Sequence, residues 1–428
     1  MASVIAIADD LTGAADCASP CAVRGMTASV ILHGGSHPDL SSHWPEADVV
    51  SIDANTRGVS EEEAKRTITA MAASCCVRAP EAILFKKIDS TLRGNLAAEL
   101  AATLRAYREA QGINSKSVMI LAPALPAEGR TTIDGRQMVH GKPLEQTDLW
   151  KNESSLPSSN IAEILAEGGL SSHIIKFTAV RKGIESLTRT LANLGPTVDV
   201  LICDSETDDD LRRIGQAAVE GGFSLWAGSA GLAGQFPSVT GLQKRENIRG
   251  RSFAAGPTLT VVGSAASITR EQAGRLAALS DVTSVKISFD VEQDAERKSR
   301  EVIAALSSGH DTLVLMDGEL THQDHFTQAL SEFVTPCANL LGGLIATGGE
   351  TARGVLDTLG IDRLQLLGEV RPGLPFSVAE GWLRPLPVVT KAGAFGPPDA
   401  LIQCRDFLRD LQHSSRAAAQ NVAAMQEK

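Results

Sequence analysis

Clusters of polar side chains in the N-terminal third of the chain have the composition of a binding site for a small, hydrophilic anion. The densest is the segment 86–95, which holds two lysines, one acid, two hydroxyls, an arginine and an asparagine. Solvation alone does not explain this density, because Gly94 also indicates the close approach of a backbone. The adjacent carboxylates Asp9 and Asp10 precede a predicted helix, where one of them would suffice as a cap. The pair therefore favours a site that accepts hydrogen bonds from a polyol.

Two further polar segments extend this pattern. Residues 53–58 combine Asp, Asn, Thr and Arg, and Arg57 offers a planar fork that matches a carboxylate. Taken alone, this segment is equally typical of a solvated turn. Residues 123–132 add Glu128, Arg130 and two threonines. Four such segments predict a small ligand that bears hydroxyls and a negative charge, and they argue against a hydrophobic ligand.

Small residues dominate the candidate site of the C-terminal half. An apolar run there ends in a diglycine turn and a helix start formed by Gly348, Gly349, Glu350 and Thr351. Paired glycines let backbone amides turn toward an anion, and the helix N-terminus adds partial positive charge. Gly263-Ser264 and the turn that contains Gly393 have a similar character. Together these turns predict a phosphate cradle.

The polar segments follow apolar runs that predict β-strands. These runs are Ser3–Ala8, Ala28–Leu32, Asp48–Ile52, Ala82–Lys86, Ser117–Leu121, His173–Phe177, Val198–Cys203, Phe223–Ala227, Thr258–Val262, Val282–Ile287, Thr312–Met316 and Gly343–Thr347. Amphipathic segments at Ser60–Ser74 and Ala97–Ala110 predict helices, the first with a capping box at Ser60 and Glu63. Ligands of open α/β sheets bind beyond the carboxyl ends of the strands, which is where the polar segments lie.

Two interruptions of this alternation indicate how the chain is organised. Residues 144–170 predict a loop or an inserted excursion, and residues 236–256, with Pro237 and several charges, predict a linker. The length also suggests more than one domain. We therefore predict two α/β domains, 1–238 and 256–428, each with a mostly parallel sheet covered by helices.

Composition excludes several classes of function. The net charge of −11 and the aromatic content of 4% argue against a nucleic-acid partner. No apolar stretch approaches the ~20 residues of a membrane span, and the N-terminus lacks the basic region of a signal peptide. Seven scattered cysteines indicate reduced thiols in the cytoplasm. No metal-ligand set is predicted, and the motifs of P-loop enzymes, dinucleotide dehydrogenases, serine hydrolases and zinc proteases are absent.

The motifs together resemble the four-carbon acid sugar kinases, a family first described only as a domain of unknown function. The resemblance runs in order along nearly the whole chain. It rests on the segments 7–14, 87–95, 123–126 with 129–130, 263–264, 348–351, 372–375 and 391–393. The segment Asp-Ser-Thr-Leu-Arg-Gly-Asn at 89–95 is the most specific of them.

This resemblance implies a sugar-acid-binding domain at 1–238, a nucleotide-binding domain at 256–428 and an active site in the cleft between them. The implied reaction is transfer of the ATP γ-phosphoryl group to the terminal hydroxyl of D-threonate, D-erythronate or a 3-oxo-tetronate. The residues that it implies for the sugar acid are Asp10, Arg57, Lys87, Ile88, Asp89, Ser90 and Arg93. Those that it implies for ATP are Ser264, Gly348, Gly349, Glu350, Thr351 and Gly393.

Phosphoryl transfer requires positioning, charge neutralisation and a group that takes the hydroxyl proton. We hypothesise that Arg57 and Arg93 clamp the substrate carboxylate and that Lys87 neutralises the transferred phosphoryl group. Either Asp10 or Asp89 would orient or deprotonate the hydroxyl. Mg²⁺ is expected to bridge the nucleotide phosphates.

Other interpretations of the sequence stay open at this stage. A sugar-acid lyase would use the same polyol site without nucleotide, and a sugar-acid sensor would bind its ligand without ATP. A homodimer is expected only from the general frequency of symmetric assemblies. The sequence leaves the identity of the four-carbon acid open.

Overall fold

The computed structural model of the chain describes most of its residues. Described are residues 2–32, 44–112, 117–153, 158–241, 253, 255–263, 266–288, 292–317, 330, 333–393 and 395–426, with no side-chain description for 151–153, 288, 292–295, 317 and 415–426. The chain divides into two compact units, with the change from unit 1 to unit 2 between Arg245 and Glu246. Each unit consists of helices and mostly parallel strands, and the mostly parallel α/β fold is confirmed.

Unit 1 contains eleven of the strands that the structure describes. They are β1 (Val4–Ala8), β2 (Ala28–Leu32), β3 (Val49–Asp53), β4 (Ile83–Lys87), β5 (Met119–Ala122), β6 (Arg130–Ile133), β7 (Arg136–Val139), β8 (Lys142–Pro143), β9 (Ser172–Ile175), β10 (Val200–Cys203) and β11 (Leu225–Gly228). Eight of them are neighbours in the order β2-β3-β1-β4-β11-β5-β10-β9. All pairings in this set are parallel.

Helices connect and cover these parallel strands. They are α1 (Leu11–Val23), α2 (Glu61–Arg78), α3 (Leu96–Gln111), α4 (Asp148–Glu153), α5 (Ile161–Glu167), α6 (Phe177–Val180), α7 (Ile184–Leu194), α8 (Asp208–Glu220), α9 (Ala230–Ala233) and α10 (Phe236–Val239). Strands such as β1, β3 and β5 are buried along their whole length, as parallel strands covered on both faces must be. Ser60 accepts a hydrogen bond from the Glu63 amide at the start of α2, as the capping motif predicts.

Unit 2 has a parallel sheet that ends in an antiparallel meander. Its elements are β12 (Thr258–Val262), α11 (Ser267–Ala277), β13 (Val282–Ser288), α12 (Glu292–Ser307), β14 (Asp311–Asp317), β15 (Gly343–Thr347), α13 (Gly349–Thr358), β16 (Arg363–Arg371), β17 (Leu374–Ala379), β18 (Leu386–Lys391) and α14 (Ala400–Gln426). The strand order is β13-β14-β12-β15-β18-β17-β16. The pairs β16–β17 and β17–β18 are antiparallel, and the remaining pairs are parallel.

Two features of the fold differ from the sequence-based expectation. The polar segment that begins at Arg130 is not all loop, because β6, β7 and β8 form a small antiparallel sheet. The predicted excursion at 144–170 contains the helices α4 and α5. The short polar strands escaped prediction because they lack the long apolar runs of the main sheet. Their turns carry a visible signal, since Asp134 and Gly135 both adopt positive φ in the β6–β7 hairpin.

None of the described helices combines the length and the apolar character that a membrane span requires.

Candidate active site

The register of the unit 1 sheet brings the predicted polar segments to one edge. Ala8 at the end of β1 is level with Asp53 at the end of β3, and Ile7 is level with Lys86 in β4. In the neighbouring pairs, Gly228 at the end of β11 is level with Lys87 and with Ala122. The segments that follow β1, β3, β4 and β5 therefore emerge side by side, as expected for a ligand site of an open α/β sheet.

Arg57 lies between the two aspartates that follow β1. Its Nε and Nη2 donate to Asp9 at 2.7 and 2.9 Å, and its Nη1 donates to Asp10 at 2.5 Å. The backbone amide of Arg57 also donates to the Asp9 carbonyl oxygen at 3.1 Å. A guanidinium carries five N–H groups, so Arg57 retains two donors for a ligand.

The ion pair between Asp9 and Arg57 stays charged in the folded protein. Burial opposes ionisation of Asp9, but the nearby Arg57 outweighs it and holds the pKa of that carboxyl below its usual range. Burial likewise opposes the charge of Arg57, and the carboxylates of Asp9 and Asp10 overcome this effect and raise its pKa. Asp9 is the member of the aspartate pair that sequence reasoning did not select, and it fixes the orientation of Arg57.

Asp10 combines the capping role and the site role that the sequence left as alternatives. Its Oδ1 accepts from the Gly13 amide at 2.8 Å as the N-cap of α1. Its Oδ2 accepts from the Thr12 hydroxyl at 2.6 Å as well as from Arg57. A carboxylate oxygen accepts about two hydrogen bonds, so Oδ1 retains acceptor capacity.

The adjacent lysines at the end of β4 have different surroundings. Lys86 is fully buried and pairs with Glu99 at 2.7 Å, and it also donates to the Lys87 carbonyl at 2.9 Å. Lys87 is 5% exposed, and its ammonium makes no hydrogen bond or ion pair with any residue that the structure describes. A Cβ at Gly13 would lie 2.9 Å from the Lys87 Nζ and 2.7 Å from the Asp10 Oδ1. Gly13 thus leaves room for the ammonium beside Asp10.

Asp89 is the centre of the turn that follows β4. Its carboxylate accepts from the Arg93 Nε at 2.7 Å and Nη2 at 3.1 Å, and from the hydroxyl and backbone amide of Thr91. Burial works against ionisation, but the hydrogen bonds and charge of Arg93 dominate and hold the pKa of Asp89 far below its usual range. Leu92, between these partners, has φ 58°, a strained value for a bulky residue.

The same turn is fixed to the rest of the unit through its backbone and through Asn95. Ile88 is buried, and its amide donates to the Gly228 carbonyl at 2.9 Å. The Asn95 side-chain amide donates to the carbonyls of Thr56 and Val59, at 3.2 and 3.0 Å. These bonds join the segment after β4 to the segment after β3.

Ser90 connects this turn to the fourth polar segment. Its hydroxyl accepts from the Arg130 Nη1 at 2.7 Å, and its carbonyl accepts from the Gln137 side-chain amide at 2.7 Å. Ser90 is 4% exposed. The small sheet that contains Arg130 and Gln137 therefore contributes directly to the strand-end site, and sequence reasoning had assigned Arg130 no role.

The predicted phosphate-binding residues of unit 2 also lie at strand ends. Val262, Thr347 and Lys391 are level with one another across β12, β15 and β18. Gly348 has φ 89° and is the N-cap of α13, and no side chain caps this helix. A Cβ at Gly263 would overlap the Thr351 hydroxyl, so the two segments pack closely. Ser264 lies outside the described residues.

The first turn of α13 therefore has the properties expected of an anion site. Helix N-termini leave backbone N–H groups without intrahelical partners, and the helix dipole adds partial positive charge there. Gly348 and Gly349 are half-buried, Glu350 is exposed and Thr351 is buried. The Gly348 amide donates to the Lys391 carbonyl at 2.9 Å. Because no described side chain caps this end, the amides of Gly349, Glu350 and Thr351 stay available to a phosphate group.

Lys391 and Gln272 hold the late turn that contains Gly393. The Lys391 ammonium donates to the carbonyls of Ala392, Gly393 and Phe395 at 2.9–3.1 Å. Gln272 donates to the carbonyls of residues 395–397. Burial lowers the pKa of Lys391 to about 8, since it is fully buried without a carboxylate partner among the described residues. Like Asp9 and Arg130, Lys391 has a structural role that the sequence did not indicate.

Neither a described metal-ligand cluster nor a disulfide is part of these sites. No group of three or more His, Cys, Asp or Glu side chains with the geometry of a metal site occurs in the described part of the chain. The seven cysteines are free and buried. Burial raises the pKa of both Cys17 and Cys21 to about 12, so they are neutral thiols at physiological pH.

Comparison with known sequences assigns a type of domain to each half. A profile described as a sugar-binding N-terminal domain matches residues 4–236, and a profile described as a nucleotide-binding C-terminal domain matches residues 259–401. The chain belongs to the four-carbon acid sugar kinase family.

Relatives with three different substrates match almost the full length of the chain. A D-threonate kinase from Cupriavidus necator is 34% identical, with 93% of this chain and 96% of the relative covered. A D-erythronate kinase from Heliobacterium modesticaldum is 27% identical, with 95% and 97% covered. A 3-oxo-tetronate kinase from Pseudomonas savastanoi pv. phaseolicola is 25% identical, with 92% and 94% covered. The chain is a four-carbon sugar acid kinase.

Solved structures support the fold. A Salmonella typhimurium LT2 protein superposes with a TM-score of 0.76 at 19% identity, with 94% of this chain and 98% of that chain covered. At this identity the likeness concerns the architecture alone, which agrees with the two α/β units described above.

Proposed function

We propose that this kinase transfers the γ-phosphoryl group of ATP to the terminal hydroxyl of D-threonate, with D-erythronate as the nearest alternative substrate. The ranking rests on the greater identity to a D-threonate kinase, 34% against 27% for a D-erythronate kinase. A 3-oxo-tetronate is the third candidate, because a kinase with that name is 25% identical. The sugar acid would bind at the strand ends of unit 1 and the nucleotide at those of unit 2.

The observation that carries this proposal is the buried ammonium of Lys87, which is attracted by the charge of Asp9 but makes no hydrogen bond or ion pair with a described residue. A buried charge without a partner is costly, because desolvation is not offset by a hydrogen bond or ion pair. Proteins retain such a charge where a ligand supplies the missing partner. A phosphoryl group that moves toward the sugar acid would do so, and its negative charge would be stabilised in a poorly solvated site.

Asp10 is the better candidate than Asp89 for the group that takes the hydroxyl proton. Asp89 accepts several hydrogen bonds, and its low pKa makes it a weak base. Asp10 has three donors and retains acceptor capacity on Oδ1, close to the Lys87 ammonium. Near-normal turnover by a folded Asp10→Asn variant would contradict this assignment.

The remaining residues at the edge of unit 1 would position the acid. Arg57 and Arg93 are held by aspartates, so they would offer their remaining donors to substrate oxygens in fixed directions. Ile88 contributes a fixed backbone, and Ser90 contributes a hydroxyl. In the reaction, a bond forms between the substrate oxygen and Pγ while the bond from Pγ to the β-phosphate oxygen breaks. The proton passes to Asp10 and ADP leaves.

In unit 2, the backbone amides of Gly349, Glu350 and Thr351 would bind nucleotide phosphates, and the turn at Gly393 would contribute to the same site. Ser264 stays a predicted ATP-binding residue. Mg²⁺, when bound, supplies charge neutralisation on the phosphates and usually keeps several water ligands. Glu350 would be a residue that holds this ion, because an exposed carboxylate in the first turn of α13 can ligate a cation beside the phosphates. A homodimer stays a prediction.

The proposal is tested by a coupled ADP-release assay with ATP and Mg²⁺ against D-threonate, D-erythronate, their L-enantiomers and 3-oxo-tetronates. We expect the highest kcat/KM with D-threonate, and ³¹P NMR of the product should show a phosphate monoester on C4. A higher kcat/KM with another tetronate would identify that compound as the substrate in place of D-threonate. Turnover of a tetronate without nucleotide would favour a lyase, and binding without turnover would favour a sensor.

A further inference from the structure

Arg130 differs from the other arginines of the unit 1 strand-end site in its charge balance. Arg57 is neutralised by Asp9 and Asp10, and Arg93 is neutralised by Asp89. Arg130 forms no ion pair with any residue in the described part of the chain, and its one side-chain hydrogen bond there goes to the neutral Ser90 hydroxyl. Its positive charge is therefore available to an anion.

The hydrogen-bonding groups of Arg130 are also incompletely used. Nη1 donates to Ser90, whereas Nε is buried and has no acceptor among the residues that the structure describes. An unmet buried donor costs free energy, so the guanidinium gains when an acceptor reaches it. The edge formed by Nε and Nη2 has the spacing of two carboxylate oxygens, and bidentate pairing there would satisfy both groups.

The backbone fixes the position of this guanidinium. Arg130 begins β6 and exchanges both backbone hydrogen bonds with Leu125, at 2.8 and 3.1 Å. Gln137 in β7 donates to the Ser90 carbonyl, so the small sheet and the turn after β4 are bonded at two points. A residue held in this way can select a ligand by its geometry.

We propose that Arg130 binds the carboxylate of the sugar acid and is the residue that selects acids over uncharged polyols. Lys87 and Arg130 would then serve the two ends of the substrate: the ammonium at the phosphorylated hydroxyl and the guanidinium at the carboxylate. This inference rests on the proposed function for the choice of ligand. The hypothesis from the sequence assigned the substrate carboxylate to Arg57 and Arg93. Both of these side chains already have aspartate partners, so we assign the carboxylate to Arg130.

The test compares D-threonate with D-threitol, which has CH₂OH in place of the carboxylate. Calorimetric Kd values and steady-state constants are measured for wild type, Arg130→Met and Arg130→Lys. We expect Arg130→Met to weaken D-threonate binding roughly 100-fold while KM for ATP and the constants for D-threitol stay within about threefold. Arg130→Lys retains the charge without the fork, so we expect a loss of roughly tenfold.

Arg136→Met is the matched control, because Arg136 lies in the same small sheet and pairs with Glu145. It should leave the preference for D-threonate over D-threitol unchanged. Equal losses for both ligands in the Arg130 variants, or an undiminished preference in folded Arg130→Lys, would overturn the inference. If wild type binds D-threonate but does not phosphorylate it, the proposed function fails, and the binding comparison still decides the role of Arg130. Failure of wild type to bind any tetronate would overturn the inference.

Discussion

The candidate sites of the two units use different chemistry at equivalent places. The unit 1 site is formed by charged side chains that are buried or partly buried, several of them held in ion pairs such as that of Arg57 with Asp9 and Asp10. The unit 2 site is formed by backbone, with an uncapped helix start at Gly348 and a turn held by carbonyl contacts to Lys391. Both lie beyond the carboxyl ends of parallel strands.

This difference follows from what each ligand presents. A four-carbon acid has hydroxyls in a defined stereochemistry and one carboxylate, so discrimination requires donors and acceptors in fixed directions. Phosphate groups are strong, symmetric anions, and backbone amides bind them without a specific side chain. We therefore predict that side-chain substitutions impair the sugar-acid site of unit 1, whereas nucleotide binding in unit 2 depends mainly on the backbone conformation.

The largest expected effect is that of Lys87→Met. Loss of the ammonium removes charge stabilisation from the transferred phosphoryl group, so we expect kcat to fall by about 10³-fold with little change in the KM for ATP. The free energy of unfolding should stay within about 1 kcal/mol of wild type, because the removed ammonium makes no hydrogen bond or ion pair with a described residue. Steady-state kinetics and urea denaturation measure both quantities.

Lys86→Met is the matched variant for the neighbouring lysine. Removing Lys86 leaves Glu99 buried without its partner, so we expect a destabilisation of about 3 kcal/mol in the same denaturation experiment. Equal stability of the two variants would contradict the distinction between a structural lysine and a functional one.

Gly348→Ala tests the backbone character of the unit 2 site. The positive φ of Gly348 would strain an alanine by about 1–3 kcal/mol and displace the first amides of α13. We expect the KM for ATP to rise about tenfold, with an unchanged KM for the sugar acid. Gly274→Ala is the control, since Gly274 lies in α11 and a Cβ there has no atom of the described residues within 4 Å. An unchanged KM for ATP in Gly348→Ala would argue against the phosphate cradle.

The acid dependence of stability provides a smaller test, through Asp89. Because the folded-state pKa of Asp89 is depressed, its ionised form stabilises the fold above the unfolded pKa of about 3.9, and this contribution declines as the pH falls below that value. Wild type should therefore exceed Asp89→Asn in unfolding free energy at pH 7, and the difference should shrink between about pH 4 and pH 2. A difference that is constant with pH would contradict the ion pair with Arg93.

The positions of the main strands could be predicted from the sequence, whereas the ion pairs of the site residues could not. Strands such as Ala28–Leu32 and Thr258–Val262 have the predicted bounds, because long buried parallel strands leave apolar runs. The meander of β16–β18 and the sheet of β6–β8 were missed, although turn residues such as Pro372 and Gly373 mark the β16–β17 hairpin. The polar clusters were visible, but tertiary distances decide which cation is neutralised. Arg57 and Arg130 are chemically identical in the sequence and differ only through their neighbours.

Hydrogen–deuterium exchange with each ligand added separately tests the central claim most directly. We predict that D-threonate slows exchange in peptides that cover residues 9–15 and 87–95, and that ATP slows exchange in peptides that cover residues 348–353. Protection of 348–353 by D-threonate with no change at 87–95, or the reverse pattern for ATP, would contradict the assignment of the acid to the side-chain site and of the nucleotide to the backbone site.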